Sequence, residues 1–168
     1  MLNQKKTASD EELTTPIGLA RYAFEYLNAA ILVNDQANDK YPGNQISPTP
    51  AYFLAFHGIE LTLKSFLRSK GLTLIQLGNK KLGHSLNACY LEAIKLGLED
   101  IFKTNPKDAT AIEMLEGLNE KQGLRYIRTG SKNFPLWSIV ESFAVRLHQA
   151  VASDIGHETF GTSYPDYK

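Results

Sequence analysis

The sequence has a single cysteine, no net charge and no long apolar run. A lone Cys89 excludes an internal disulfide bond and is typical of a protein in a reducing compartment. Eighteen basic residues balance eighteen acidic ones, which removes an overall attraction for nucleic acid or anionic membranes but not a local basic patch. No stretch has the character of a signal sequence or the length of a membrane-spanning helix. We therefore expect a cytoplasmic protein that makes no membrane contact.

Motifs that identify common active sites are also missing. The sequence has no Gly-x-x-x-x-Gly-Lys-Ser/Thr loop, no Gly-x-Gly-x-x-Gly turn, no His-Glu-x-x-His helix and no paired cysteines at metal-binding spacing. Its four histidines are scattered: His57, His84, His148 and His157. His57 has a carboxylate, Glu60, one helical turn away, but two ligands are too few to indicate a metal. We expect neither a metal nor a cofactor, and we assign no catalytic residue.

The length and the hydrophobic pattern predict one helical domain. A chain of 168 residues is long enough to bury a single core. No segment alternates apolar and polar residues with the period of a strand, so we predict an all-α, up-and-down bundle of about five helices. We place a flexible segment at residues 1–15, the helical domain at 16–155 and an exposed tail at 156–168.

The central helix is predicted between Thr49 and Gly71. Its apolar residues fall on one stripe with a period of 3.6, formed by Phe53, Phe56, Ile59, Leu63, Phe66 and Leu67. Thr49 suits the capping position, Pro50 the first helical position and Gly71 a left-handed end. Beside the stripe, Glu60 and Lys64 are four residues apart in the order that favours an ion pair.

Four further helices are predicted at residues 16–38, 85–96, 110–123 and 135–155. Ser85 suits the capping position of the second of these helices. Thr110 and Glu113 have the spacing of a capping box and predict the start of the third. Cys89 falls on the apolar stripe of the helix that Ser85 begins, which indicates a buried small side chain rather than a nucleophile.

Surplus apolar surface predicts a homodimer. The first helix has a second apolar face at Tyr22, Tyr26 and Val33, and Leu91 and Ile94 lie off the main stripe of another helix. Apolar surface of this kind usually marks a contact, and the two-fold homodimer is the commonest closed assembly. We expect the first helix to lie near the dimer interface.

Short strings in the middle of the sequence, FHGIELTLKSFLRSKGL, GHSL and AIKLGL, share a recognisable pattern. They contain a Glu-x-x-x-Lys core at Glu60 and Lys64, and a His-x-Leu turn at His84 and Leu86 before a helix that ends in glycine. Together with LRYIRTG, this pattern resembles the HEPN superfamily over about residues 16–155. The resemblance implies an up-and-down helical bundle, frequent homodimerisation, and a role in RNA cleavage, in RNA or nucleotide binding, or in partnership with a nucleotidyltransferase.

One motif of that superfamily is missing from this chain. Many of its active members are metal-independent ribonucleases with an Arg followed, after four to six residues, by a His. Here only Leu147 separates Arg146 from His148, which turns the two side chains apart on a helix. Arg125 and Arg128 have no histidine at the required spacing. The missing pair argues against catalytic activity, because phosphate-ester cleavage needs a proton donor or acceptor and a cation at one phosphate.

Three functions stay open. The first is a non-catalytic HEPN-like domain that binds RNA, a nucleotide or another phosphate ligand. The second is a dimerisation or protein-interaction module that partners a nucleotidyltransferase, or a toxin in a toxin–antitoxin or defence system. The third is a ribonuclease whose active site is assembled from dispersed residues. We favour the first of these.

The predicted site lies where the loop before the last helix meets the start of the helix capped by Ser85. Its ligand-binding residues are predicted to be His84, Arg125, Tyr126, Arg128, Lys64 and Glu60. The two arginines offer planar donors suited to phosphate, and Tyr126 offers a ring on which a base can stack. The alternative is that Arg125 pairs with Glu60 or another carboxylate and only fastens the loop to the bundle.

Overall fold

The computed structural model describes residues 9–157 and shows an all-helical protein. Its α-helices are α1 (Asp10–Leu13), α2 (Pro16–Lys40), α3 (Thr49–Ser69), α4 (Leu74–Leu77), α5 (Leu86–Lys95), α6 (Pro106–Leu118) and α7 (Trp137–Asp154). Short 3-10 turns follow α5 and α6, at Leu98–Asp100 and Glu120–Gln122. The described range contains no strand, so the predicted all-α class is confirmed, with α2, α3, α5, α6 and α7 as its long helices.

Helix α3 is the centre of the core, as the sequence predicts. It packs against α2, α5 and α7, and its apolar stripe is buried except for Phe53, which is half-buried. The backbones of α2 and α3 approach closely, because a Cβ on Gly58 would lie only 2.6 Å from the side chain of Leu27. Gly58 therefore sets the distance between the two longest helices.

The start of α2 at Pro16 and both ends of α5 agree with the sequence, whereas the start of α3 does not. Ser85 caps α5, and its side chain accepts from the backbone N–H of Ala88. The prediction that Thr49 caps α3 is wrong: Thr49 is already helical, Pro48 precedes it, and no side chain caps this end. Gly71 has a φ of +96°, as expected of a left-handed residue just after a helix.

The start of α6 corrects a second prediction. The helix begins at Pro106, not at Thr110, and Asn105 and Asp108 form the capping box. Thr110 lies one turn inside, where its hydroxyl donates to the carbonyl of Pro106. Asn105–Pro106 supplies both a capping side chain and a residue suited to the first helical position, and this pair prevails over the Thr110 spacing.

The start of α7 is a third correction, because this helix begins later than predicted. The helix begins at Trp137, and Pro135 belongs to the preceding loop. The hydroxyl of Tyr52 donates to the carbonyl oxygen of Pro135 at 2.7 Å, and the backbone N–H of Trp137 donates to the carbonyl of Gln45 at 3.0 Å. These two bonds join the loop before α7 to α3 and to the loop before α3.

Part of the predicted terminal segments is described. Within residues 1–15, helix α1 is held by Arg68, whose guanidinium donates to the carbonyls of Thr14 and Glu11 and forms an ion pair with the Glu11 carboxylate at 2.6 Å. Residues 1–8, and residues 158–168 of the predicted tail, lie outside the described range. Among the helices of the described range, none has the length and apolar character needed to cross a membrane.

The predicted second face of α2 is used largely within the chain. Val33 packs against the core, and the ring of Tyr26 meets that of His57 edge-on at 4.5 Å between centroids. Tyr22, by contrast, is exposed, as is Leu91 on α5. The homodimer stays a prediction. Of the apolar side chains on which it was based, Tyr22 and Leu91 are the ones exposed for a contact with a second copy.

Cys89 is buried in α5, as predicted. Burial raises the pKa of its thiol to about 12, and Sγ donates to the carbonyl of Leu82. A thiol with this pKa is not a nucleophile at neutral pH, so Cys89 belongs to the core.

Candidate functional site

A cleft of about 240 Å³ brings together the chemically most distinctive side chains of the described range. It opens where α2 and α3 face the loop before α5 and the chain after α6. Its lining residues are Tyr26, Phe53, Phe56, His57, Glu60, His84, Asn119, Gln122 and Arg125. One wall is therefore aromatic, whereas the others present imidazole, carboxylate, amide and guanidinium groups.

Glu60 is the buried acid of this cleft. Its position on α3 puts it one turn before Lys64, whose ammonium lies 2.5 Å from a Glu60 carboxylate oxygen. Burial alone would raise the pKa of Glu60, but the neighbouring His57 and the charge of Lys64 outweigh that effect and lower it. Glu60 is thus ionised at neutral pH although its side chain is only 4% exposed.

Two histidines approach the same carboxylate from different elements. Nδ1 of His57, on α3, lies 3.7 Å from one oxygen of Glu60, and Nδ1 of His84, in the loop before α5, lies 3.6 Å from the other. An adjacent carboxylate favours the tautomer with its proton on Nδ1. Each imidazole therefore keeps Nε2 for a ligand, where it accepts a proton when neutral and donates one when charged.

The histidines are open to solvent, unlike the acid that they share. The side chain of His84 is 66% exposed and that of His57 is 37% exposed. The loop that carries His84 is held on both sides, because Lys64 donates to the carbonyl of Gly83 at 2.6 Å and Ser85 caps α5. A buried, ionised acid with accessible imidazoles is a geometry that can hold or transfer a proton at a bound group.

Arg125 supplies the cation of the cleft. A tight turn precedes it, in which the backbone N–H groups of Arg125 and Tyr126 both donate to the carbonyl of Gln122. Its guanidinium lies over the ring of Tyr126, 5.7 Å from the ring centroid. Within residues 9–157 it forms no ion pair, and Lys64 is the cation bonded to Glu60. The alternative in which Arg125 pairs with Glu60 is not what the structure shows.

The structure brings together four of the six predicted site residues. Glu60, His84 and Arg125 line the cleft, and Lys64 is bonded to Glu60 beneath it. Tyr126 is 63% exposed beside Arg125 and is not part of the lining. Arg128 lines a different cleft, at the C-terminal end of α6.

Six polar or aromatic residues of the cleft were not among the predicted site residues: Tyr26, Phe53, Phe56, His57, Asn119 and Gln122. A signal existed for His57, because its spacing of three from Glu60 puts both on one face of a helix. The positions of Asn119 and Gln122 in the cleft depend on a left-handed turn, in which φ is +53° at Lys121 and +58° at Gln122. Residues other than glycine rarely adopt this conformation, so the sequence alone does not indicate the turn.

Arg146 and His148 lie elsewhere in the fold. Arg146 forms a hydrogen-bonded ion pair with Asp108, which joins α7 to α6. His148 is fully buried, and its Nδ1 lies 3.1 Å from the hydroxyl of Thr62 on α3. The two side chains therefore serve two different helix contacts, and neither lines the cleft.

No protein-family model, curated protein or solved structure matches this chain. The HEPN resemblance therefore stays a prediction. In the described part of the chain, no group of three or more His, Cys, Asp or Glu side chains has the arrangement needed to hold a metal ion.

Proposed function

We propose that the cleft binds a phosphate group of RNA, a nucleotide or a related ligand. The observation that supports this proposal is the meeting of Arg125 with His57 and His84 at one small opening, with no carboxylate in the described range paired to Arg125. A guanidinium presents parallel donors that match two phosphate oxygens. The imidazoles add donors whenever they carry a second proton.

The charge of Glu60 does not oppose such a ligand. Its carboxylate is bonded to the ammonium of Lys64, which is also largely buried, so the pair is close to neutral as a unit. Glu60 acts on a ligand through His57 and His84, whose Nδ1 atoms it orients. The accessible charge of the cleft is then that of Arg125.

The aromatic wall gives the cleft a surface for a base. Tyr26 and Phe53 are half-buried and line the same opening as the imidazoles. Unstacked bases bind to proteins by packing on such rings, at about 1–3 kcal/mol per base. A phosphate with an attached base therefore fits this cleft better than a free inorganic anion.

The test is calorimetric binding of 5′-AMP and of a short oligoadenylate to the wild type and to single variants. We expect Arg125→Ala to weaken binding at least tenfold, because a charge-assisted bond is worth about 1.5–3 kcal/mol. Lys107→Ala is the matched control, since Lys107 is an exposed cation at the other end of α6. Failure of the wild type to bind either probe, or equal losses in both variants, contradicts the proposal.

The paired histidines also favour a second function, cleavage of RNA by a dispersed site. In such a step Nε2 of one neutral imidazole accepts the proton of a 2′-hydroxyl, which attacks the adjacent phosphorus. The other, protonated imidazole donates its proton to the departing 5′-oxygen, and a 2′,3′-cyclic phosphate forms. His57→Ala and His84→Ala should each abolish this product while Lys107→Ala retains it. Intact RNA after prolonged incubation with wild type rejects cleavage.

An interaction module is the remaining proposal, and exposed apolar side chains support it. Tyr22, Leu32 and Leu91 are each more than half exposed. A homodimer, or a complex with a nucleotidyltransferase or toxin, would cover such residues. Light scattering at micromolar concentration tests the homodimer, and a monomeric mass counts against it. Tyr22→Ser should shift a dimer toward monomer.

A further inference from the structure

The candidate cleft is one end of a longer groove. A middle cleft shares three lining residues with it: His84, Asn119 and Gln122. A far cleft, of about 530 Å³, shares three residues with the middle one: Gly117, Glu120 and Lys121. The three clefts therefore follow one another along the C-terminal end of α6 and the turn beyond it. We call the three together the α6 groove.

Basic side chains recur along the α6 groove. Arg125 lies in the candidate cleft, Lys121 is shared by the middle and far clefts, and Arg128 and Lys132 line the far one. Within residues 9–157 none of the four forms an ion pair. By contrast, the guanidinium of Arg68 forms an ion pair with the carboxylate of Glu11.

The acids of the groove do not cancel these cations. Glu116 is engaged at a helix start, where its carboxylate accepts from the backbone N–H of Leu86 at 2.7 Å. Glu60 is bonded to Lys64. Glu120 is the remaining exposed carboxylate of the lining, so cations outnumber free acids along the groove.

The left-handed turn after α6 is what aligns these groups. Residues with side chains are strained at the φ values of Lys121 and Gln122, +53° and +58°. In this conformation Lys121 lies between the middle and far clefts, while Gln122 reaches the candidate cleft.

We propose that the α6 groove binds a single strand of nucleic acid several nucleotides long. This inference rests on the proposed function and extends it from one phosphate to a chain of phosphates, held by Arg125, Lys121 and Arg128 in turn. One base occupies the aromatic wall of the candidate cleft, and exposed Tyr126 offers a second stacking surface beside Arg125. A single strand is required because bases paired in a duplex are not free to stack on these rings.

The experiment compares 5′-AMP with oligoadenylates of increasing length, up to about eight nucleotides, a typical span for a strand-binding surface. We expect affinity to rise with length and to fall with salt more steeply for the longer strands. The double variant Lys121→Gly/Arg128→Ala should weaken binding of the longest strand roughly tenfold and leave 5′-AMP unaffected. Glycine at 121 retains the left-handed turn.

Controls separate this inference from the function on which it rests. Lys107→Ala removes one cation from α6 outside the groove, and it should change neither affinity. Equal affinity of wild type for 5′-AMP and the longest strand overturns the α6 groove but leaves phosphate binding intact. Absence of binding to both overturns the two proposals together.

Two further probes define the ligand. Deoxyadenylates measured in parallel show whether the 2′-hydroxyl contributes to affinity. Tighter binding of a duplex than of a single strand of the same length also overturns the inference.

Discussion

The ammonium of Lys64 donates to the carbonyl oxygen of Gly83 at 2.6 Å, and so joins the central helix to the loop before α5. The same ammonium is bonded to Glu60, the acid that both cleft histidines approach. Lys64 therefore positions His84 twice, through the backbone of the residue before it and through the carboxylate opposite its ring. It is a positioning residue, since it lies beneath the cleft and does not line it.

Lys64→Met tests this role. The substitution leaves the Glu60 carboxylate buried without its cation, and we expect a loss of about 2–3 kcal/mol in the free energy of unfolding. The NMR signals of His84 should shift as its loop is released. Lys95→Met is the control: it breaks the exposed pair with Glu92 and should cost under about 0.5 kcal/mol. Unchanged stability and an unchanged His84 signal would refute the role.

Gly58→Ala tests the close approach of α2 and α3. The new Cβ would lie 2.6 Å from the buried side chain of Leu27 and 3.3 Å from the carbonyl oxygen of Ala23. We expect urea unfolding to show a loss of about 1–3 kcal/mol, as for other overpacked cores. Gly117→Ala is the matched control on α6, because a Cβ on Gly117 would meet no neighbouring atom within 4 Å. The better helix propensity of alanine should make this variant slightly more stable than the wild type. Equal effects would show that the two helices separate freely.

Arg146→Met tests the contact between α6 and α7. Asp108 is 1% exposed, and without Arg146 its carboxylate keeps only local bonds within its capping box. We expect a loss of about 3 kcal/mol in the free energy of unfolding. Asp108→Asn combined with Arg146→Met removes both charges and should recover part of this loss. A double variant less stable than the single one would contradict this assignment.

The five long helices were predictable because each has a local signal, whereas the four-residue helices α1 and α4 were not predicted. The apolar stripe of α3 depends only on a 3.6-residue period, and Ser85 and Gly97 mark the ends of α5 by the rules of capping and left-handed residues. The wrong starts of α6 and α7 have different causes. At α6 two local capping signals competed, whereas at α7 long-range hydrogen bonds join Pro135 to Tyr52 and Trp137 to Gln45 and fix the chain just before the helix.

The candidate site was only partly predictable because it depends on packing between distant elements. Glu60 and Lys64 are neighbours on one helix, so their pairing follows from spacing. Tyr26 reaches His57 only through the packing of α2 on α3, which no local pattern determines. Arg128 was predicted in the site but lines a different cleft, because the turn at Lys121 directs the following loop over the end of α6.

His148 makes the stability of the core depend on pH. The hydroxyl of Thr62 donates to the carbonyl of Gly58, so it accepts from Nδ1–H of the neutral His148 ring. Burial of this ring lowers its pKa to about 4 from an ordinary value near 6.5. The unfolded chain thus binds a proton between these values while the folded one does not, and acid favours unfolding.

The stabilising contribution of neutral His148 is therefore complete above about pH 6.5 and is lost as the pH falls toward 4. We expect the free energy of unfolding, measured with urea, to decrease over this range by about 3 kcal/mol at most from this residue. His148→Gln, which retains a hydrogen-bonding side chain without the titration, should have a flatter profile. Glu60 also makes the protein less stable in acid, at lower pH, because folding lowers its pKa. Both proteins contain Glu60, so its effect cancels when the wild-type and variant profiles are subtracted. Parallel pH profiles for the two proteins would refute the assignment to His148.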